Sequence, residues 1–260
     1  MIDDKFFDKV YFESGPQSGK SLYQNYSWLP ELTIPLAYRF VCEFQREASM
    51  GLQQWKKSQL QYCGYPIYAK RKIVPIPNRW KNSFTNDVFL EEIANEKSNK
   101  NTIMDFGCAK GYLVHAFRLL GIEAYGVDIS EYAISKAPKE VNNYISLIKP
   151  YSDNFRYCTY IICKDILEHI PYDKIDEQLS ILKSKCEVVL AIIPLGNNGK
   201  YVIPAYELDK SHYIREPKEW WNERFEKAGF TQIKSTTNLG AFKAQWQEID
   251  SNGNLLYMGF

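Results

Sequence analysis

From residue 101 to about 235 the chain alternates short apolar runs with amphipathic segments, and this alternation restricts its fold more than any other feature. "TIMDF", "EAYGVDIS", "YISLI", "YCTYIICKD" and "EVVLAIIPLG" read as buried strands. "GYLVHAFRLLG", "EYAISKA", "YDKIDEQLSILKSK" and "EPKEWWNERFEKAGF" read as helices. In the third of these Ile175, Leu179 and Leu182 fall at i, i+4 and i+7, on one face. Pro217 opens the last helix and Gly229 closes it. Strand after helix after strand predicts an α/β, doubly wound, mostly parallel sheet with helices on both faces. "TQIKSTT" adds a late strand, and "FKAQWQEI" and "NLLYMGF", joined at "DSNGN", predict a terminal antiparallel hairpin.

The first hundred residues lack that alternation. "LTIPLAYRFVCEFQREASM" predicts a helix starting near Pro35 with Leu36, Phe40, Val41 and Phe44 on one face, and "NDVFLEEIANEKSNK" predicts another. The prolines of "GYPIYAKRKIVPIPNRW" argue against a central strand. The chain therefore divides into an aromatic, helical N-terminal cap over 1–98 and an α/β core over 99–260.

Net charge is +1, which removes any global electrostatic case for nucleic acid or an anionic membrane; the short basic run "AKRK" reads as a solvated turn. The six cysteines form no CxxC pair and read as reduced thiols, not as a disulfide framework or zinc module. "MIDDKFFDKV" has no signal-peptide core, and no apolar run approaches the ~18 residues of a membrane span, so the sequence predicts a soluble cytoplasmic protein.

"ESGPQSGKSLYQNY" (13–26) imitates a phosphate-binding loop. Such a loop needs a glycine five residues before its Gly-Lys-Ser, where this chain has Ser14, with Gly15 one place too late. The flanks supply neither a buried strand nor a long helix. The match is one of letters only.

The segment that carries chemistry is "IMDFGCAKGYLV". Asp105 ends a strand, Gly107 and Gly111 follow, and a helix begins; glycines here let backbone approach a ligand and turn sharply. An acid in this loop repels a pyrophosphate and suits a cationic ligand. Seventeen residues after Gly111 the second strand ends in Asp128, placed to grip both hydroxyls of a ribose.

These residues resemble the first motifs of class I S-adenosylmethionine-dependent methyltransferases, with Ala109 where a glycine is commoner. The resemblance covers about residues 100–260 and implies a seven-stranded Rossmann-like methyltransferase sheet with S-adenosylmethionine as cofactor. It places Asp105 near the methionine ammonium, Gly107, Ala109 and Gly111 along the wall, and Asp128 with Ile129 at the ribose. "CKDILEHIP" resembles the motif after strand four, with the Lys164 backbone and Asp165 flanking the methionine portion. After strand three "YISLIKPYSD" offers no acid to face adenine, a departure from the family pattern. The region before the first motif commonly forms a cap in this family. "YQNYSWLPELT" then reads either as a lid in which Tyr23, Tyr26 and Trp28 close over the ligand or as packing of the extension onto the core.

On the acceptor side, Asp165, Glu168 and His169 lie at i, i+3 and i+4, and His212 follows strand five; both loops overhang the carboxyl ends of the strands. The set resembles the acid-x-x-Glu-His plus distal His of metal-dependent small-RNA 2′-O-methyltransferases and ubiquinone-pathway O-methyltransferases, with Asp for the first Glu. Three readings stand together: a divalent Mn- or Mg-type ion on Asp165, Glu168, His169 and His212; His169 or His212 as a catalytic base without metal; or "LEH" as a loop-ordering cap. His115 reads as structural or surface. The opening residues resemble methyltransferases encoded with bacterial surface-polysaccharide genes, among them enzymes of capsular O-methyl phosphoramidate assembly. That resemblance implies O-methylation of a small phosphorylated or nucleotide-linked acceptor, with Lys200, Lys210, Arg215, Arg71 and Arg79 as available cations. N-methylation of an amino sugar and a non-catalytic S-adenosylmethionine-binding partner subunit are the alternatives.

Overall fold

A computed structural model describes residues 4–44, 102–239, 242 and 251–260. Its centre is a seven-stranded sheet made of β1 (Ile103–Phe106), β2 (Ala124–Asp128), β3 (Ile145–Leu147), β4 (Cys158–Lys164), β5 (Cys186–Pro194), β8 (Gln232–Thr236) and β9 (Asn254–Gly259), in the order β3-β2-β1-β4-β5-β9-β8. The first five run parallel, and β9 is antiparallel to both β5 and β8. A two-stranded ribbon, β6 (Gly196–Asn197) with β7 (Lys200–Tyr201), projects beyond β5.

β5 explains why the sheet is covered on both sides. Val188, Leu190 and Ile192 enter one core cluster, and Val189, Ala191 and Ile193 enter the other. A strand apolar at every position from Val188 to Pro194 needs helices on both faces. On one face lie α2 (Pro30–Glu43) and α3 (Tyr112–Leu119), which meet through Phe40 and Phe117. On the other lie α5 (Ile175–Lys185), burying Leu179 and Leu182, and α6 (Lys218–Lys227), burying Trp221 and Phe225. Phe225 stacks on Tyr257 of β9 at 3.9 Å between ring centres. Two short helices, α1 (Lys9–Glu13) and α4 (Glu131–Ser135), pack on each other, and α4 in turn packs on β2 and β3. This is the doubly wound, Rossmann-like architecture.

Three details differ from the sequence reading. "FFDKVYFE" contains helix α1, capped by the Asp8 carboxylate on Tyr11 N–H at 3.0 Å. α2 begins at Pro30 rather than near Pro35: Pro30 occupies the first turn, where its missing N–H costs nothing, and Pro35 sits inside the helix. The late antiparallel pairing joins β9 to β8 and β5, whereas "FKAQWQEI" lies outside the described residues except Phe242, which packs on Phe40. The predicted helix at 86–100, the run 69–72, Arg71, Arg79, Cys63 and the boundary at 98 also lie outside them. Cys108, Cys158, Cys163 and Cys186 are buried free thiols. Among the described residues no helix is long and apolar enough to cross a membrane.

Gly15 to Gly19 form a tight turn around Pro16–Ser18, with both glycines at positive φ. Lys20 pairs with Asp8 at 2.8 Å, and the buried Ser21 hydroxyl donates to the Tyr11 carbonyl. The segment folds the cap back on itself and presents no helix N-terminus to a phosphate.

Candidate functional site

The loop after β1 is shaped by backbone constraints. Gly107 N–H donates to Val127 O at 2.8 Å with φ +82°, and a Cβ there would lie 2.6 Å from Ile166. Gly111, at φ +74°, opens α3. Ala109 also takes a positive φ, +48°, an uncommon conformation for a non-glycine residue. Its N–H gains a partner in return, donating to Asp128 Oδ2 at 2.7 Å. Asp128 Oδ1 accepts from Ser130 N–H at 2.8 Å, so the carboxylate is clamped from both sides. Burial raises its pKa, and the backbone donors work against that rise.

Asp105 is 6% exposed at the end of β1. Burial first, then the nearby Asp128 charge, push its pKa up to about 7, against a smaller opposing pull from Lys164. Lys164 pairs with Asp165 at 2.5 Å, and Asp165 itself holds φ +53°.

Part of this set borders a cleft open to solvent, which Asp105 and Lys164 do not line. Gly107, Ala109, Asp128, Ile129 and Asp165 line it. Past Asp128 the walls turn apolar, with Ile148, Pro150, Tyr151, Ile166 and Ile170. At the other flank the N-terminal segment supplies Phe7, Tyr11, Phe12 and Tyr23 beside His169. The charged side chains lining the cleft are Asp128 and Asp165; among the described residues no lysine or arginine lines it. A concave site walled by carboxylates favours a cation.

The cap is tied to this loop by a buried lysine. Lys110 Nζ donates to Tyr26 O at 2.8 Å and to Glu13 Oε1 at 3.3 Å, with the Tyr26 and Tyr132 rings 5.9 and 5.8 Å away. The Tyr26 ring packs on Tyr23 and Tyr112, and Trp28 stacks on His115 at 4.7 Å. Of the three aromatics read from "YQNYSWLPELT", Tyr23 lines the cleft, whereas Tyr26 and Trp28 pack the extension onto α3.

Glu168, His169 and His212 come together, one ligand atom of each within 4.8 Å of the others; Asp165 lies outside that group. His212 Nδ1 meets the Tyr206 carbonyl at 2.9 Å and must donate to it, which leaves Nε2 as the lone-pair nitrogen. Ser211 Oγ gives its hydrogen to Asp209 Oδ1 at 2.5 Å and so receives one from His169 Nδ1 at 2.7 Å. His169 Nε2 is then a lone pair as well. These two nitrogens stand 3.9 and 4.0 Å from Glu168 Oε1, too far for hydrogen bonds and close enough to share one ion. Burial depresses both histidines, His212 to about 3 with help from the neighbouring His169, so both rings are neutral at pH 7. Tyr11 of the cap donates to the other oxygen of Asp209 at 3.0 Å.

A sequence profile described as a methyltransferase domain matches residues 84–235. The chain belongs to this methyltransferase family. It is a methyltransferase enzyme. No curated protein matches it. Among solved structures, an S-adenosylmethionine-dependent methyltransferase from Archaeoglobus fulgidus is 17% identical, with TM-score 0.48, over 61% of this chain and 85% of that one. The complex of the Haloferax volcanii Trm112 activator with a methyltransferase matches at 14% identity and TM-score 0.49, over 65% and 85%. Phosphoethanolamine N-methyltransferase 2 of Haemonchus contortus matches at 16% and 0.48, over 65% and 50%.

Sequence reading missed the roles of Phe7, Tyr11, Asp209, Ser211 and Gln178. Tyr11 and Asp209 are 198 residues apart, and His169 and Ser211 are 42 apart, so no local pattern reveals them. Gln178 carried one signal, a polar residue beside Leu179 on an apolar helical face. Of the proposed cations, Lys200 and Lys210 are exposed, and Arg215 is held by Glu207 at 3.0 Å and by the His212 carbonyl.

Proposed function

We propose that this methyltransferase binds S-adenosylmethionine between Asp105 and Asp128 and methylates an oxygen of a small acceptor beside His169. The cleft lined by Asp128 and Asp165, with no lysine or arginine among the described lining residues, carries this reading, because it suits a ligand bearing an ammonium and a sulfonium. The fit extends to shape: Gly107 lets the first loop pack directly against Ile166, and the backbone N–H groups of Ala109 and Ser130 fix the Asp128 carboxylate in the cleft wall. When bound, the donor supplies an electrophilic methyl group on a positively charged leaving group. Asp105 and Asp165 would sit with its amino-acid end, Gly107, Ala109 and Gly111 with its backbone-facing side, and Asp128 and Ile129 with its ribose. Lys164 offers its backbone there, while Tyr26 supports the wall through Lys110. Phe7, Tyr11, Phe12 and Tyr23 exclude water and hold the acceptor in line, which is most of what a displacement at carbon requires. Residues 1–98 thus act as a cap on the 99–260 core.

For the acceptor, Glu168, His169 and His212 form the candidate centre. Three neutral or anionic donors aimed at one point fit a divalent ion of the Mn or Mg type, which would lower the pKa of an acceptor hydroxyl. Asp165, engaged with Lys164, would join only by turning away from it. A second reading, His169 as base without metal, is favoured by the Asp209–Ser211–His169 chain, which holds Nε2 free to take a proton. A phosphorylated or sugar-nucleotide acceptor of surface-polysaccharide assembly, a phosphoramidate oxygen included, is the acceptor class implied by the N-terminal resemblance. With Arg215 engaged elsewhere, such an acceptor calls for the ion as its counter-charge. The test is metal analysis of purified protein, then methyl transfer to a panel of sugar nucleotides and phosphorylated sugars with and without chelator. Loss of transfer on chelation, restored by Mn or Mg, supports the metal reading. Transfer that survives both chelation and His212→Ala removes it.

A further inference from the structure

The two backbone donors that hold the Asp128 carboxylate, Ala109 N–H and Ser130 N–H, are also both tied to the N-terminal cap. The fully buried Ser130 hydroxyl donates to the Phe7 carbonyl at 2.5 Å. Ala109 packs into the aromatic cluster built around Tyr11 and Phe12. Lys110, the next residue, is 5% exposed and gives its ammonium to Glu13 and to the Tyr26 carbonyl. The Glu13 carboxylate accepts in addition from the Tyr132 hydroxyl, two residues past Ser130. Glu13 thus joins the segments after β1 and β2 from the cap side, as Asp128 joins them from the cleft side.

Burial gives this arrangement an energetic consequence. With the cap lifted, the Lys110 ammonium and the Ser130 hydroxyl lose these partners. The segments that carry them lose a restraint, and these are the segments whose N–H groups aim the Asp128 carboxylate. A ligand that engages Asp128 restrains the same two segments from the opposite side. Restraints that share a pair of loops reinforce each other, and such coupling is reciprocal. The cap also carries Phe7, Tyr11, Phe12 and Tyr23, so the wall beside His169 is in place only while the cap is docked.

We propose that Glu13 and Lys110 are positioning residues that couple the cap to the donor site, so that donor binding and cap docking favour each other. The donor-loaded protein is then the form that presents a finished acceptor wall. This rests on the S-adenosylmethionine reading of the cleft and adds a link between its two halves.

The experiment measures both directions of the coupling on the full chain, with S-adenosylhomocysteine as the probe. Trypsin cuts at Lys5, Lys9 and Lys20 are followed by mass spectrometry with and without saturating compound. Saturation should slow these cuts in the wild type about tenfold. A compound bound to the core alone would leave them unchanged, because they require only local opening of the cap. Calorimetry gives the reverse direction in Glu13→Gln and Lys110→Met, neither of which alters a residue that lines the cleft. Both variants should be cut faster at the cap. Lys110→Met should bind the compound about fivefold to tenfold more weakly and Glu13→Gln about threefold. The double variant should stay within about twofold of Lys110→Met, because both changes break one strap. Faster cap cutting with wild-type affinity, or wild-type cuts indifferent to the compound, overturns the coupling and leaves the donor site standing. Variants cut no faster than the wild type overturn the role of Glu13 and Lys110. A wild type that binds no S-adenosylhomocysteine overturns the donor reading itself.

Discussion

Protonation of Asp105 gives the most quantitative check on the cationic-ligand site. Its pKa of about 7 against an ordinary 3.8 corresponds to about 4 kcal/mol of preference for the neutral form in the empty protein. A bound ammonium reverses that preference by restoring a counter-charge. Binding at pH 6 should therefore expel about 0.9 proton, and at pH 8 about 0.1. The ligand's own α-amino group stays charged over most of this range. Apparent affinity for S-adenosylhomocysteine should fall roughly tenfold per pH unit below 7. The assay is calorimetry in buffers of differing ionisation heat, which counts protons directly. Asp105→Asn should abolish most of the release, weakening binding at pH 8 and scarcely at pH 5.5. The same shift has a stability consequence. An acid with a raised folded pKa stabilises the protein below its unfolded value and loses that contribution as pH rises through the folded one. The ligand-free Tm should thus decline between pH 4 and 7, and Asp105→Asn should flatten the decline. Proton release unchanged in Asp105→Asn, or affinity constant from pH 5 to 8, would refute the argument.

Gly107→Ala places a Cβ 2.6 Å from Ile166 at φ +82°; thermal and chemical denaturation should show a loss of about 3 kcal/mol, with weaker ligand binding. Lys110→Met removes the buried ammonium that straps Glu13 and Tyr26 to the first loop. Limited proteolysis should then cut first within residues 4–28, with Tm lowered by a few degrees; unchanged proteolysis would mean that the aromatic packing alone docks the cap. Asp209→Ala releases Ser211 and hence the orientation of His169. Steady-state kinetics should show kcat falling by about 10–100-fold with S-adenosylhomocysteine affinity retained. Tyr11→Phe, which keeps the Asp209–Ser211–His169 chain, should do much less.

How far the sequence reveals all this depends on whether the signal is local. β5 was readable because an unbroken apolar run, Val188 to Pro194, fits a strand buried on both faces. Gly107, Gly111 and Asp128 were readable as positions because tight turns and strand ends constrain residue type within a short window. Helix α1, five residues long, is too short to show periodicity, and its cap contact with Asp8 shows only in three dimensions. The start of α2 was misplaced because proline is tolerated throughout the first turns, so Pro30 and Pro35 compete as signals. The Tyr11–Asp209–Ser211–His169 chain draws on α1 and on the segments after β4 and β7, joined only when the cap meets the core. Gln178 stands on a helical face that reads as core, and its place in the cleft wall shows only in three dimensions.

The central claim is that two acids ending neighbouring strands hold a cationic methyl donor. Its most direct test is titration calorimetry of S-adenosylhomocysteine into wild type and Asp128→Ala at pH 8. The account predicts saturable one-to-one binding that Asp128→Ala weakens at least about tenfold. Well-folded wild type that takes up none of the compound, or a variant that binds it equally well, would contradict it.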